Sequence, residues 1–426
     1  MKEEVLHFIW KHRLFDTTQL KTLNGEEVKI LKTGRLNQDG GPDFLDAAIS
    51  IGDTKWFGNV EIHIDEKDWF RHGHQHDPKY RNVILHVLYH APKEVNLQHI
   101  PGTIALAPYV AAKTIQNYEL LQQEISHPPC KNLAPQVPGF HKKQMLGRLA
   151  VERLSQKAEE LKSIWGNDMG QWEVLFYKAL AISLGMKINK APFLHLTQIT
   201  PLKLLHKHRN SAFQLEALLF GQAGFLSADF ESHYPNKLKA EYRFLQQKYQ
   251  LTPMDVVEWQ FLRTRPVNFP TLRLAQLAAI FHHHYTFSYL LFEQQEQEEK
   301  YWKKVLQVSP SLYWKDHYRF DKKAKKSHSG KIGAATVRQV LINVVAPMRF
   351  LYGTEKQQTA LKERAVVLLE GLPNEQNRIS KRYESLDFPN EHAADSQAII
   401  FLERYYCKPG RCLNCQVGLK ILKGKG

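Results

Sequence analysis

The sequence predicts an α+β protein, in which a mixed α/β region is followed by a large and mainly helical region. Short apolar runs of strand type are confined to the first hundred residues, and apolar residues at helical spacing dominate from about residue 113 onward. Hydrophobic residues make up 43% and charged residues 24% of the 426 positions. These are ordinary globular values, so they exclude collagen, coiled-coil rods and wholesale disorder.

The first region is predicted to run helix, strand, hairpin, polar segment and strand. Its predicted elements are a helix over 4–13, strands over 28–31, 46–51 and 54–64, a His-rich helix or ordered loop over 68–80, and a strand over 83–89. Gly52-Asp53 is typical of a two-residue hairpin turn.

The rest of the chain is predicted to be helical and punctuated by prolines. The clearest helical patterns cover 145–164, 172–184, 214–226, 272–284 and 356–372. We therefore predict an α/β domain over 1–112, a mainly helical domain over 113–400, and a Cys-containing segment over 401–426 that could pack back on the N-terminal half.

The charge balance favours a polyanionic partner. Lys and Arg number 58 against 43 Asp and Glu, which gives a formal net charge of +15 and favours nucleic acid or an anionic surface. Arginine and amide side chains in one segment would suit phosphate contacts: Arg263, Arg265, Asn268 and Arg273. A mobile basic loop is predicted over 321–331, and it could either contact phosphate or be a solvated loop of no special role.

Compartment is predicted from what the sequence lacks. No stretch approaches the ~20 apolar residues of a membrane span. The N-terminus resembles an acidic amphipathic segment more than a signal peptide, and four cysteines are too few for a secreted disulfide scaffold. We therefore expect a cytoplasmic protein with reduced cysteines and no membrane partner.

The strongest chemical signal lies in GGPDF and VEIHI, within residues 40–64. Alternate residues of a strand share a face, so Glu61 and His63 are predicted to project together. Asp43 and Glu61 could hold a hard divalent cation, and His63 could then orient or deprotonate a water for attack on a phosphodiester. In the alternative, Asp43 merely starts a strand and Glu61 and His63 form a half-exposed polar face.

The hairpin register bears on this site. A two-residue turn pairs Asp43 with Ile62, which would place Asp43 on the opposite face of the sheet from Glu61. A bulge or bend near Phe44-Leu45 would be needed to bring Asp43 round.

This arrangement resembles the PD-(D/E)xK nuclease superfamily, whose restriction-endonuclease-like core has this element order. The resemblance implies Mg²⁺ or Mn²⁺ at Asp43 and Glu61, and Glu4 (or Glu3) would match a helical acid of some members. His63 stands where the superfamily usually has Lys, a departure that removes a permanent positive charge.

A His-rich cluster follows, from which His72, His74, Asp77 and His86 are candidates for substrate contacts or a second metal. H-x-H-x-H-D could be a transition-metal site. A flexible, exposed loop is the alternative.

The spacing Cys407-x4-Cys412-x2-Cys415 could bind Zn²⁺ or an iron–sulfur cluster, with Cys130 as the fourth thiolate. This one-plus-three pattern resembles the iron–sulfur nucleases of bacterial recombination and CRISPR adaptation, although the spacing differs. The resemblance implies a metal staple between distant parts of the chain. Reduced, buried cysteines are the alternative.

The whole chain also resembles an uncharacterised bacterial domain-of-unknown-function family, which brings no established activity. The matching strings are GGPDF, WFGNVEIHI, YRNVILHV, EALLFGQAGFL, RPVNFPTLRLAQLA, ADSQAII and the terminal YC–CLNC–G. We expect a metal-dependent nuclease acting on DNA or RNA. The alternatives are a non-catalytic basic nucleic-acid-binding protein with a degenerate site, and a His/Asp metal-dependent hydrolase of another phosphorylated substrate.

Overall fold

A curled mixed sheet followed by a mostly helical region makes up the chain in the computed structural model, which confirms the predicted α+β class. The structure describes residues 2–93, 100–123, 128–166, 169–292 and 297–424. The strands are β1 Val28–Lys32, β2 Arg35–Leu36, β3 Phe44–Ile51, β4 Thr54–His63, β5 Val83–Leu88, β6 Gly102–Ala105, β7 His317–Arg319 and β8 Lys322–Lys323. The first nine α-helices are α1 Glu3–Lys11, α2 Lys67–Arg71, α3 Ala112–Gln123, α4 Gly139–Trp165, α5 Trp172–Leu184, α6 Lys190–Ile199, α7 Leu202–Lys207, α8 Ala212–Gln222 and α9 His233–Tyr249. They are followed by α10 Pro270–His283, α11 Ser288–Phe292, α12 Glu298–Leu306, α13 Ala334–Val340, α14 Ala346–Glu355, α15 Thr359–Glu370, α16 Arg378–Glu384, α17 Ala393–Leu402 and α18 Gln416–Lys423.

The chain divides into two compact units. Unit 1 comprises Met1–Met145, Lys381–Pro389 and Ile400–Gly426, and unit 2 comprises Leu146–Ser380 and Asn390–Ile399. Within unit 1, α18 packs against α3, and the Asn117 side chain donates a hydrogen bond to the Ile421 carbonyl at 2.7 Å. Unit 1 thus includes the whole C-terminal segment 401–426 as well as residues 113–145.

The sheet of unit 1 has the strand order β1-β3-β4-β5-β6, and β2 also pairs with β3. The pairs β1/β3, β2/β3 and β3/β4 are antiparallel, whereas β4/β5 and β5/β6 are parallel. A parallel pair needs a crossover connection, and residues 64–82 supply it between β4 and β5 with α2 and short 3₁₀ turns. The His-rich segment therefore passes over the sheet because of this topology.

A β-bulge interrupts the hairpin of β3 and β4. The hairpin begins with the predicted pair Ile51 and Thr54, but the register shifts by one residue before Phe44 pairs with Val60. Asp46 lies in the bulge with a φ of 58°, a left-handed conformation that Asp tolerates better than most residues. The required irregularity is thus present on β3.

Unit 2 contains a buried carboxylate that accepts several hydrogen bonds. Glu216 on α8 is 1% exposed, and its Oε2 accepts hydrogen bonds from the Tyr234 hydroxyl at 2.5 Å and from Trp314 Nε1 at 3.1 Å. Ser311 donates both its hydroxyl and its backbone N–H to the same carboxylate. Burial raises the pKa of Glu216, although these hydrogen bonds act in the opposite direction. Glu216 therefore connects three separate segments of unit 2 through hydrogen bonds.

Within the described part of the chain, none of the helices combines the length and the apolar character needed to traverse a bilayer.

Candidate metal centre

Hydrogen bonds connect Asp43 and Glu61 across the hairpin of β3 and β4. The bulge shifts the register so that Asp43, just before β3, comes opposite Glu61 on β4. The Asp43 N–H donates to Glu61 Oε2 at 3.1 Å, and the Ile62 N–H donates to Asp43 Oδ2 at 2.9 Å. Each carboxylate is thus held by the backbone beside the other, which fixes both in position.

Two histidines complete this face of the sheet. Glu61 pairs with His86 across β4 and β5, while His63 follows Glu61 by two positions on β4. His63 Nδ1 lies 2.9 Å from His86 Nε2, and His63 Nε2 lies 3.4 Å from Glu61 Oε1. One of the two paired ring nitrogens must donate and the other accept, so His86 sets the tautomer and ring orientation of His63.

The crossover segment supplies further imidazoles. His74 Nε2 lies 3.2 Å from Glu61 Oε1, and the His74 ring stacks on Tyr80 at a centroid distance of 3.9 Å. His63, His72 and His74, which we call the three-histidine set, have ligand nitrogens within 4.8 Å of one another. These nitrogens, with Glu61 Oε1 beside His63 and His74, could therefore hold one cation.

Helix α1 supplies a second group of ligand atoms. Glu3, His7 and Asp43, which we call the helix set, offer ligand atoms within 4.8 Å of one another. His7 Nε2 lies 3.3 Å from Asp43 Oδ2 and 3.7 Å from Glu3 Oε1. Of the two helical acids considered from the sequence, Glu3 lies beside Asp43, and Glu4 is exposed.

His7 was missed by the sequence analysis. Its signal is the spacing of four residues from Glu3, which places both side chains on one face of α1. That spacing alone is common on exposed helices, and only the packing of α1 beside Asp43 gives it meaning.

Burial and neighbouring charges shift the pKa values of the groups in this centre. Burial, reinforced by the nearby Asp43 carboxylate, raises the pKa of Glu61 to about 9. Burial and the surrounding imidazoles lower the pKa of His63 to about 2. Burial would lower the pKa of His7, but hydrogen bonding and charge from Asp43, together with Glu3, raise it overall. A cation would stabilise the ionised carboxylates, while His63 is already in the neutral form that binds metals.

The remaining histidine-region candidates have other contacts. Asp77 Oδ1 accepts the Lys79 N–H at 2.9 Å and so caps a 3₁₀ turn, and Asp77 lies outside both sets. His86 is fully buried and contacts His63, so it could orient His63 but would not itself bind a cation.

The predicted arginine segment divides into buried and exposed members. The predicted phosphate contact of Arg273 requires correction, because Arg273 is 2% exposed. Its guanidinium donates to Gln276 at 2.8 Å, to Asn268 at 2.6 Å and to Thr336 at 3.0 Å. The Asn268 amide oxygen is used in the same network. Arg263 and Arg265 are exposed just before α10.

The lysines of the basic loop are exposed, while the loop itself is anchored. The Asp321 carboxylate accepts the N–H groups of Glu231 and Ser232, and Tyr318 stacks on His328 at 4.1 Å between centroids. These contacts hold the predicted mobile segment against unit 2.

The four cysteines occur together in unit 1. All four are buried, none is in a disulfide bond, and they line one pocket: Cys130, Cys407, Cys412 and Cys415.

A family model described as "Protein of unknown function (DUF2851)" matches residues 3–378, which is most of the chain. No curated protein and no solved structure matches the chain. The description of the family therefore names no reaction.

Proposed function

The chain belongs to the DUF2851 family, and from the residues of its own centre we propose that it is a metal-dependent nuclease that hydrolyses phosphodiester bonds of DNA or RNA. One observation supports this proposal most strongly. Two carboxylates, Asp43 and Glu61, are held side by side at one end of the hairpin by hydrogen bonds. The helix set and the three-histidine set lie next to them. Carboxylates and neutral imidazoles gathered in this way are the usual ligands of divalent cations in hydrolases.

The side chains divide into holding and proton-exchanging roles. In the helix set, Asp43 would hold a cation together with Glu3 and His7. In the three-histidine set, His63 and His74 would hold a cation beside Glu61 Oε1, and His86 would orient His63 from behind. His72 is the exposed member of the three-histidine set, so it is placed to exchange a proton with water or substrate. A divalent cation, when bound, polarises the phosphate and lowers the pKa of water.

The donor atoms favour Mn²⁺ over Mg²⁺. Mg²⁺ prefers oxygen ligands and gives up water reluctantly, whereas Mn²⁺ accepts imidazole nitrogen more readily. Both sets contain at least one histidine. We therefore expect cleavage to be faster with Mn²⁺ than with Mg²⁺ and absent after chelation.

The direct test uses the purified full chain with labelled single- and double-stranded DNA and RNA. Each substrate is incubated with Mn²⁺, with Mg²⁺ and with a chelator, at matched ionic strength. Cleavage that requires Mn²⁺ and follows the protein through size exclusion supports the proposal. Absence of cleavage of all four substrates under every metal condition contradicts it.

A second candidate is nucleic-acid binding without cleavage. It is favoured by the low exposure of Glu61 and His63, at 4% and 1%, and by the absence of the Lys expected at residue 63. Binding in a gel-shift assay without any cleavage would support this candidate. Hydrolysis of a small aryl phosphodiester without cleavage of nucleic acid would instead indicate the third class, a hydrolase of another phosphorylated substrate.

Exposed arginines are expected to contribute to binding through counterion release. Replacing Arg263 and Arg265 with Ser should weaken binding to all sequences alike and reduce the slope of log K against log salt by about 1–2. Lys356→Ser, which removes one exposed charge elsewhere on unit 2, is the control. An unchanged slope in the double variant would exclude these arginines from the interface.

A further inference from the structure

All four cysteines of the chain converge on one place in unit 1. Their exposed fractions are 9% for Cys130, 8% for Cys407, 9% for Cys412 and 9% for Cys415. They line one pocket, in which the other residues are Leu121, Pro129, Tyr406, Arg411 and Gly418. Cys130 is distant in sequence from the other three, so this convergence is produced by the fold.

The local backbone is shaped to present the three C-terminal thiols. Cys407 ends a π-helical turn, Glu403–Cys407, and such turns commonly redirect side chains at functional sites. Cys412 begins a 3₁₀ turn, and Cys415 is the N-cap residue of α18. Gly418 allows α18 to approach that turn, because a β-carbon there would lie 2.1 Å from the Cys412 carbonyl oxygen.

We propose that these four cysteines bind an iron–sulfur cluster. Four thiolates are the usual ligand set of such clusters. Disulfides do not account for the grouping, since none of the four cysteines is in a disulfide bond. The proposal is independent of the proposed nuclease activity, because none of these residues belongs to the candidate metal centre.

Sulfur spacing favours a cluster over a single zinc ion. With Zn–S distances of about 2.3 Å, a tetrahedral zinc site places its sulfurs about 3.8 Å apart. Among the described residues, the groups whose ligand atoms all lie within 4.8 Å of one another are the helix set and the three-histidine set, so no three of these sulfurs are that close. In a cubane cluster each thiolate binds a different iron at a separate corner, which spreads the sulfurs further apart.

A buried lysine near the thiols fits an anionic cluster. Lys142 is 1% exposed and donates to the Leu386 carbonyl at 3.0 Å. Burial lowers the pKa of Lys142, while the Asp387 carboxylate and, to a smaller extent, the Cys130 thiol act in the opposite direction. The Tyr383 hydroxyl lies beside the Cys407 thiol and donates a hydrogen bond to Glu403 Oε2 at 2.9 Å. A negatively charged centre would further compensate the buried ammonium group of Lys142.

The test begins with the full chain purified without oxygen. We expect about four iron and about four acid-labile sulfide ions per chain, together with the broad visible absorption of a cluster. Protein purified in air should recover this absorption on addition of equal amounts of ferric and ferrous iron with sulfide, which supply a [4Fe–4S] cluster without further redox change. Stoichiometric zinc without sulfide, or no metal after both treatments, would overturn the proposal.

Variants test the assignment of ligands. Cys130→Ser and Cys412→Ser should each lower cluster content at least several-fold. Met145→Leu is the control, because its thioether lies 3.5 Å from Cys415 Sγ without being one of the four thiols. Full cluster content in Cys130→Ser would contradict the assignment of that residue. If a serine variant fails to fold by circular dichroism, metal and sulfide analysis of the wild-type chain still decides the proposal.

Discussion

Glu61→Gln is expected to lower Mn²⁺-dependent cleavage of nucleic acid by about a thousandfold, or about 4 kcal/mol of transition-state stabilisation. The amide keeps the shape of the side chain but removes the charge that would hold the cation. Glu61 Oε2 accepts the Asp43 N–H, and Glu61 Oε1 faces His63 and His74. In Gln, an amide NH₂ group would replace one of these two oxygens. Initial rates at saturating Mn²⁺ and calorimetric Mn²⁺ binding measure the two effects separately.

Asp53→Asn is the matched control for this substitution. Asp53 is an exposed carboxylate in the turn of the same hairpin, and Asn suits such a turn equally well. Its cleavage rate should stay within about twofold of the wild-type rate. Cleavage that survives Glu61→Gln would belong to a contaminant or to another site.

Glu216→Ala is expected to destabilise unit 2 by about 3 kcal/mol or more, because it leaves buried donors on Tyr234, Ser311 and Trp314 without their acceptor and opens a cavity. For a unit of this size the loss corresponds to a decrease in melting temperature of roughly 10 °C. Thermal unfolding followed by circular dichroism measures it. Glu216→Gln keeps one acceptor oxygen and should cost clearly less. Equal losses for the two variants would show that filling the volume, and not accepting hydrogen bonds, is the role of Glu216.

The same carboxyl group predicts a pH dependence. Burial raises the folded-state pKa of Glu216 above the ordinary value of 4.5, so the folded protein holds a proton that the unfolded chain has lost. The contribution to the free energy of unfolding is therefore fully present below about pH 4.5 and falls as the pH rises through the folded-state value. Denaturant unfolding at a series of pH values should show this negative slope in the wild type and a flatter profile in Glu216→Gln.

Local patterns were sufficient for the fold class and for the hairpin. The Gly52-Asp53 turn fixes the pairing of Ile51 with Thr54 because a two-residue loop allows only one register. Strand alternation likewise placed Glu61 and His63 on one face. The short strand β6 was not predicted, because its four residues carry too little pattern and gain their place only by pairing with β5.

Side-chain environment was the part that local patterns could not supply. The sequence predicts that Arg273 contacts phosphate, yet its side chain is buried and donates hydrogen bonds to Gln276, Asn268 and Thr336. Burial depends on what α10 packs against, and residues distant in the sequence decide that. For the same reason the local sequence does not indicate a role for His7, whose Nε2 lies 3.3 Å from Asp43 Oδ2 because α1 packs beside Asp43.

The sequence by itself determined the α+β class, the pairing at the hairpin turn and the supply of carboxylate, imidazole and thiol groups, because each depends on residue type and short-range spacing. The tertiary structure decided which of these groups meet. A bulge at Asp46 brings Asp43 opposite Glu61, the crossover carries His74 over them, and the fold brings Cys130 to the C-terminal cysteines. Such contacts depend on packing between segments that are distant in the sequence, and the free energy of that packing cannot be predicted from a local pattern.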